Sequence, residues 1–295
     1  MVTAVIVGVL ISVLSSQASR IIPQPSPSPE NSTSYGQASP KIVSRTPVSS
    51  ISSASASSVR PDPNPLTVIS EDPINVDDIN DWVFPTSFVL DAGVIKVLNA
   101  SLAKNPAGNY VPDYLYGRGG YETNQVDTQL VVQNNQSVPL RIIDIGVVKT
   151  CTSQLGGTLF YAPGQAEDPG VKLGFDLDSA YPVARKVHGN YLSKSAPYYF
   201  ADYTVTISPG AQQVFDLFAQ ARNQACSFRY RVTILDGDAK VYQIIGDGSQ
   251  AFRVSGLKPG YSKYPVIYAG GAFSPTYNAQ FGRVDPNKFN VLDIP

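Results

Sequence analysis

In the segment Cys226-Ser-Phe-Arg-Tyr-Arg-Val-Thr-Ile234, apolar and polar side chains alternate without a break. A strand sends successive side chains to opposite faces. Cys226, Phe228, Tyr230, Val232 and Ile234 therefore share one face, and Ser227, Arg229, Arg231 and Thr233 share the other. Such a pattern suits a strand with one face in a core and one in water. Much of the chain beyond Asp81 has a related texture, with short β-branched and aromatic runs separated by Gly, Pro, Asn and Asp.

Two of these runs, 128–133 and 138–149, flank the polar loop Asn134-Asn-Gln-Ser137 and read as a hairpin. Further strands are expected at 158–161, 171–177, 199–207, 213–219, 226–235, 240–245 and 250–254. One helix is expected over 91–103, capped by Asp91, with Val94, Val97, Leu98 and Leu102 on one face. Parallel α/β architecture needs helical stretches between its strands, and none is seen here. The expected fold is all-β, an immunoglobulin-like β-sandwich of about nine strands with one short helix.

Cys226 lies on the inward face of its strand. Cys151 shares a face with Ile143, Ile145 and Val147, but also with Arg141 and Lys149, which need solvation at the strand ends or a bulge. Two cysteines in an exported β-domain are expected to pair. Closing a loop of about 75 residues stabilises the fold by about 4–5 kcal/mol in the chain-entropy model. The only tryptophan, Trp82, precedes both cysteines rather than lying between them, so the immunoglobulin likeness is one of architecture.

Export is read from the N-terminus. Residues 2–14 form a nearly continuous apolar run, and no charged side chain appears before Arg20. At about 1.5 Å per residue the run covers roughly 20 Å, the length of a signal-peptide core, and Ser16-Gln17-Ala18 offers a small-x-small cleavage site. Extended to Ile22, it is long enough to span a bilayer. Cleaved signal and retained anchor both remain open, beside an ordinary buried element. Between Ser19 and Pro65 about half the residues are Ser or Pro, which cannot bury enough apolar surface to order the chain. The domain reading is a signal peptide or membrane anchor at 1–18, a disordered Ser/Pro-rich linker at 19–78, a β-sandwich at 79–273 and a C-terminal tail at 274–295. The acidic run from Glu71 to Asp81 reads as a solvated approach to the domain.

With 43% hydrophobic and 15% charged residues and a net charge of −1, the chain is neither wholly disordered nor a polybasic nucleic-acid binder. His188 is the single histidine, so every Ser-His-Asp or Cys-His scheme must pass through it, and no Gly-x-Ser-x-Gly elbow accompanies it. A His-based zinc site fails for want of ligands. Gly117-Arg-Gly-Gly120 lacks the spacing of a phosphate cradle and reads as a flexible loop. Asp236-Gly-Asp238 and Asp247-Gly248 read as turns. No catalytic, metal or cofactor residues are assigned.

Tyrosine offers a wide apolar face and a hydroxyl at low rotamer cost, yet it also favours half-buried strands. The clusters Tyr110, Tyr114, Tyr116 and Tyr261, Tyr264, Tyr268 are the candidates for a binding surface. Asn-x-Ser/Thr sequons occur at Asn31, Asn99 and Asn135.

In order along the chain, Gln125-Val-Asp-Thr-Gln-Leu-Val-Val-Gln133, Val138-Pro-Leu-Arg-Ile-Ile-Asp-Ile-Gly-Val-Val148, Gly156-Gly-Thr, Phe175-Asp-Leu-Asp178 and Cys226-Ser-Phe resemble uncharacterised actinobacterial membrane-anchored envelope proteins. The resemblance covers about two thirds of the chain. It implies a single N-terminal membrane helix, a polar stalk and an extracytoplasmic β-domain with two cysteines, and it implies no activity. The short uncharged N-terminus and the longer C-terminal tail depart from that pattern. The expectation is a non-catalytic, extracytoplasmic recognition or structural domain, tethered or secreted, whose partner is an envelope glycan or another surface protein. The alternative is a secreted glycan hydrolase that uses carboxylates.

Overall fold

The computed structural model describes residues 64–73, 81–105, 110–162, 172–187, 192, 195–236, 239–246, 251–270 and 280–290. The apolar run at 2–14, the Ser/Pro stretch to residue 63, His188, the sequon Asn31 and the turn residues Asp238, Asp247 and Gly248 lie outside them. Among the described residues no helix is long and apolar enough to cross a membrane.

The described elements, in chain order, are β1 (Leu66–Pro73), β2 (Trp82–Val83), α1 (Ala92–Lys104), α2 (Tyr110–Gly117), β3 (Tyr121–Thr123), β4 (Gln125–Asn134), β5 (Leu140–Ser153), β6 (Thr158–Tyr161) and β7 (Lys172–Asp176). They continue with β8 (Arg185–Lys186), α3 (Tyr199–Asp202), β9 (Val205–Ile207), β10 (Gln212–Gln220), β11 (Gln224–Asp236), β12 (Ala239–Ile245), β13 (Phe252–Ser255), β14 (Val266–Ala269) and β15 (Gly282–Val284). The fold is all-β, in two sheets. The first has the order β1-β4-β10-β7-β8. The second runs β15-β14-β6-β2-β3-β13-β11-β5-β9, with β12 also paired to β11. More strands are present than the nine expected, because β1, β2, β3, β8, β14 and β15 are short or sit in segments poor in alternation. Three pairings, β10 with β7, β13 with β3 and β14 with β6, are parallel, unlike the antiparallel sheets of an immunoglobulin domain.

The main core lies between the sheets. Val126, Leu130 and Val132 of β4 and Phe215, Leu217 and Ala219 of β10 meet Phe228, Tyr230, Val232 and Ile234 of β11. A second cluster packs α1 and α2 on the far part of the larger sheet, around Trp82, Phe84, Phe160 and Tyr268. Phe160 stacks on Tyr268 at 4.9 Å and meets Phe281 edge-on at 5.5 Å.

The long strand β5 resolves the conflict on its inward face in two ways. The β5–β11 register shifts between Thr233 and Ile234, so Ile143 is bulged. Leu140 and Ile142 turn inward, and Arg141 is exposed. Lys149 keeps its inward side, and its ammonium donates to the carbonyls of Leu177 and, at 2.7 Å, Ser179. Cys151 and Cys226 stand directly opposite each other in this ladder, with Cα atoms 4.1 Å apart, and form the disulfide. The bridge therefore joins neighbouring strands of one sheet.

Several expectations are corrected. The runs on either side of Asn134–Ser137 do not pair: β4 belongs to the smaller sheet and β5 to the larger. The loop steps between layers because Asn134 is buried there. Its amide donates to Val138 O (2.8 Å) and Ile207 O (2.9 Å), and its Oδ1 accepts from Gln136 N. The folded body includes β1, which falls inside the 19–78 range expected as linker. Leu66 is buried and Val68 packs against the core. The 199–207 segment is a helical turn followed by the three-residue β9, not one strand. Helix α1 forms with Asp91 Oδ1 accepting from Gly93 N at 2.7 Å, and Leu98 and Leu102 are buried, but Val97 is 52% exposed.

Gly117-Arg-Gly-Gly120 is not a flexible loop. It closes α2 as a Schellman cap, with Gly120 N donating to Leu115 O and Gly119 N to Tyr116 O, both at 3.0 Å, and Gly119 at φ +87°. The described part of the C-terminal tail packs on the body: β15 pairs with β14, and Phe281 is buried.

Side-chain amides stitch separate elements. Gln243 of β12 accepts from Leu66 N (3.1 Å) and donates to Leu66 O (2.8 Å), joining the two sheets at one edge. Asn99 of α1 does the same to Phe281, at 2.7 and 3.0 Å. The sequon asparagine Asn99 is thus committed to backbone bonds, whereas Asn135 sits exposed in the β4–β5 loop.

Candidate functional site

The six tyrosines proposed for a binding surface separate in the structure. Tyr264 and Tyr268 are fully buried. The Tyr268 hydroxyl accepts from Leu90 N at 2.8 Å and that of Tyr264 from Lys258 N at 2.7 Å, so both are core residues with satisfied hydroxyls. Tyr261 is half-buried, edge-on to Phe289 at 4.9 Å and to Tyr161 at 5.9 Å. The remaining three lie on α2.

Helix α2 buries Val111 and Leu115 and turns Tyr110 outward, 50% exposed. Tyr110, Tyr114 and Arg118 follow at four-residue spacing, which sets them one above another on a helical face. Arg118 donates to the Tyr114 hydroxyl at 3.0 Å, and its guanidinium lies over the rings of Phe88 (5.0 Å) and Tyr114 (5.7 Å). On the other flank, Arg253 of β13 lies 4.0 Å from the Tyr116 ring centre and 5.7 Å from that of Tyr121, and donates to Tyr116 O. The Tyr116 hydroxyl donates to Ala251 O. Burial raises the Tyr116 pKa while the neighbouring Arg253 opposes the shift, so the phenol is neutral at physiological pH. The helix thus holds two guanidiniums against aromatic rings, and Tyr110 and Arg118 are the exposed members. Rings fix the side-chain geometry and leave the guanidinium edge to bind an acid.

A second group was not evident in the sequence. On the outer face of the smaller sheet, Lys172 of β7, Asp216 of β10 and Gln129 of β4 stand in one cross-strand row, with Asp127 of β4 one row away opposite Phe218. Lys172, Asp216 and Asp127 are all buried, and Gln129 Nε2 donates to Asp216 Oδ1 at 3.5 Å. Two carboxylates and an ammonium in one buried patch of a sheet face are costly unless mutually compensated. Strand pairing across about 90 residues of chain brings them together, and no local motif announces them.

The third group surrounds Asp81. Its Oδ1 accepts from Ala162 N at 2.6 Å, and its own carbonyl accepts from Thr123 N. Tyr161, Tyr261 and Tyr264 lie close enough for its charge to act on them. Burial raises the Asp81 pKa to about 7, opposed by the Ala162 hydrogen bond. Burial and the Asp81 charge raise the neighbouring Tyr161 and Tyr261 phenols as well.

The motifs that carry the family resemblance have structural roles here. Asp178 accepts from Arg222 N, Asn223 N and Asn223 Nδ2, holding the β10–β11 turn. Thr158 Oγ1 accepts from Phe88 N and donates to Phe88 O, both at 2.8 Å. At Gly157 a Cβ would stand 2.3 Å from Thr86 backbone atoms, so only glycine fits. Comparison with known proteins finds no family model, no curated protein and no solved structure that matches this chain.

Proposed function

We propose that the protein is a non-catalytic recognition domain of the cell envelope, exported by its N-terminal segment and binding an acidic envelope glycan through the outer face of α2. The observation that supports this reading is the Tyr110–Tyr114–Arg118 ladder: exposed aromatic surface for sugar rings beside a guanidinium already held in place. The Cys151–Cys226 bond fits the oxidising compartment that export requires. Glycan-array binding of the full chain, with and without Arg118→Ala and Tyr110→Ala, tests the reading. Retention of acidic glycans that falls about tenfold in both variants supports it. Retention that ignores both substitutions defeats it.

The buried carboxylates Asp127 and Asp216 favour a second reading, a secreted glycan hydrolase working from the outer face of the smaller sheet. Release of reducing ends from the same glycans, abolished by Asp216→Asn in a protein that still folds, would replace the first reading with this one.

A further inference from the structure

Strand β12 is hydrogen-bonded only to β11 among the described residues, so its other edge presents unpaired backbone groups. Gln243 pins the strand from the core side through its two bonds to Leu66. The outward side chains alternate with it: Lys240 is exposed, Tyr242 is 53% exposed and Ile244 37% exposed. The same outer face carries Arg229 and Arg231 of β11 and, beyond the bulge, Arg141 of β5, all exposed. Arg231 and Lys240 flank the Tyr242 ring, each 5.6 Å from its centre. The carboxylate on this part of the face, Asp144, receives the Tyr198 hydroxyl at 2.7 Å. Among the described residues of this face, four cations against one engaged carboxylate form a local excess in a chain whose net charge is −1.

These features select an occupant. An apolar edge of this kind risks pairing with a second copy of itself, but Lys240 and the adjacent arginines would bring like charges together in that pairing. An acidic strand meets no such repulsion. Backbone groups at the edge also favour a peptide over a polysaccharide, because only a peptide completes a hydrogen-bond ladder.

We propose that the β12 edge takes up an extended acidic peptide segment of a partner protein as an added strand. Its alternate carboxylates lie on the outer face beside Tyr242, within reach of Lys240 and the long Arg231 side chain, and its apolar residues turn to the inner face, beside Val241 and Ile245. The proposal is independent of the glycan reading, which uses α2.

Fluorescence anisotropy of the full chain with a labelled synthetic peptide alternating Glu and Val tests it. The expected result is saturable binding that weakens with salt. It should also fall about tenfold or more when the peptide is N-methylated at alternate amides, when Gln replaces Glu, or when the protein carries Lys240→Glu with Arg231→Glu. Those two residues are exposed, so the variant is expected to melt like the parent, and circular dichroism checks this. Any of four results overturns the proposal: no binding, unchanged binding of the N-methylated peptide, binding of polygalacturonate but not of the peptide, or a dimer that occupies the edge.

Discussion

Replacing Asp81 by Asn should stabilise the protein at neutral and alkaline pH and leave it unchanged in acid. The folded-state pKa of Asp81 is raised from 3.8 to about 7 by burial. Well below pH 3.8 the carboxyl is protonated in both the folded and the unfolded chain, so its contribution does not vary. As pH rises toward 7 the unfolded chain loses the proton while the folded one keeps it, and stability declines. Above pH 7 both forms are ionised and the decline ends. The difference between 3.8 and about 7, at about 1.4 kcal/mol per pH unit, gives a ceiling of about 4 kcal/mol. Asp81 is only partly shielded from water, so about 2–4 kcal/mol is expected at pH 8. Asn retains an oxygen to accept from Ala162 N and has no charge to desolvate. Urea denaturation of both proteins at intervals from pH 3.5 to 8 measures the difference. The two stability curves should coincide at the acid end and diverge through pH 4–7. A difference that is constant across the range refutes the reasoning.

Alanine at both Cys151 and Cys226 should lower stability by about 4–5 kcal/mol, read from urea midpoints, because the bond closes a 75-residue separation. Lys149→Met leaves the Leu177 and Ser179 carbonyls without their ammonium donor and should cost about 1–3 kcal/mol in the same assay. Asn99→Ala should speed amide exchange at Phe281 and along β15 while β11 stays protected, as hydrogen-exchange mass spectrometry will report. Gly157→Ala should abolish folding or cost more than about 3 kcal/mol, since its Cβ would overlap Thr86 backbone that has no flexible end to move.

The parts of the fold that were legible in the sequence are those where one physical rule dominates. The period-two pattern from Cys226 to Ile234 predicts which face is buried: Cys226, Phe228, Tyr230, Val232 and Ile234 all lie in the core. Asp91 followed by apolar residues at helical spacing predicts α1. The clash of Arg141 and Lys149 with an otherwise apolar face points to a bulge, and the bulge is at Ile143.

Elsewhere one local pattern is compatible with two structures. A four-residue polar loop serves a hairpin or a step between layers, and only the burial of Asn134 decides. Tyr264 and Tyr268, set among Pro and Gly, look exposed, but Tyr268 lies in β14, which is buried along its length, and Tyr264, just before it, packs with Val83, Leu159 and Ile267. The Schellman cap had a readable signal in the buried Val111 and Leu115 followed by Gly-x-Gly-Gly. The row of Lys172, Asp216 and Gln129 had none, because strand pairing alone creates it.

Thiol trapping in fractionated cells reports both the compartment of the domain and the state of its two cysteines. If the domain is exported, the full-length protein lies in the extracytoplasmic fraction, and Cys151 and Cys226 resist alkylation under denaturing conditions until a reductant is added. Recovery from the cytosol with both thiols immediately reactive would rule out an exported, disulfide-bonded domain.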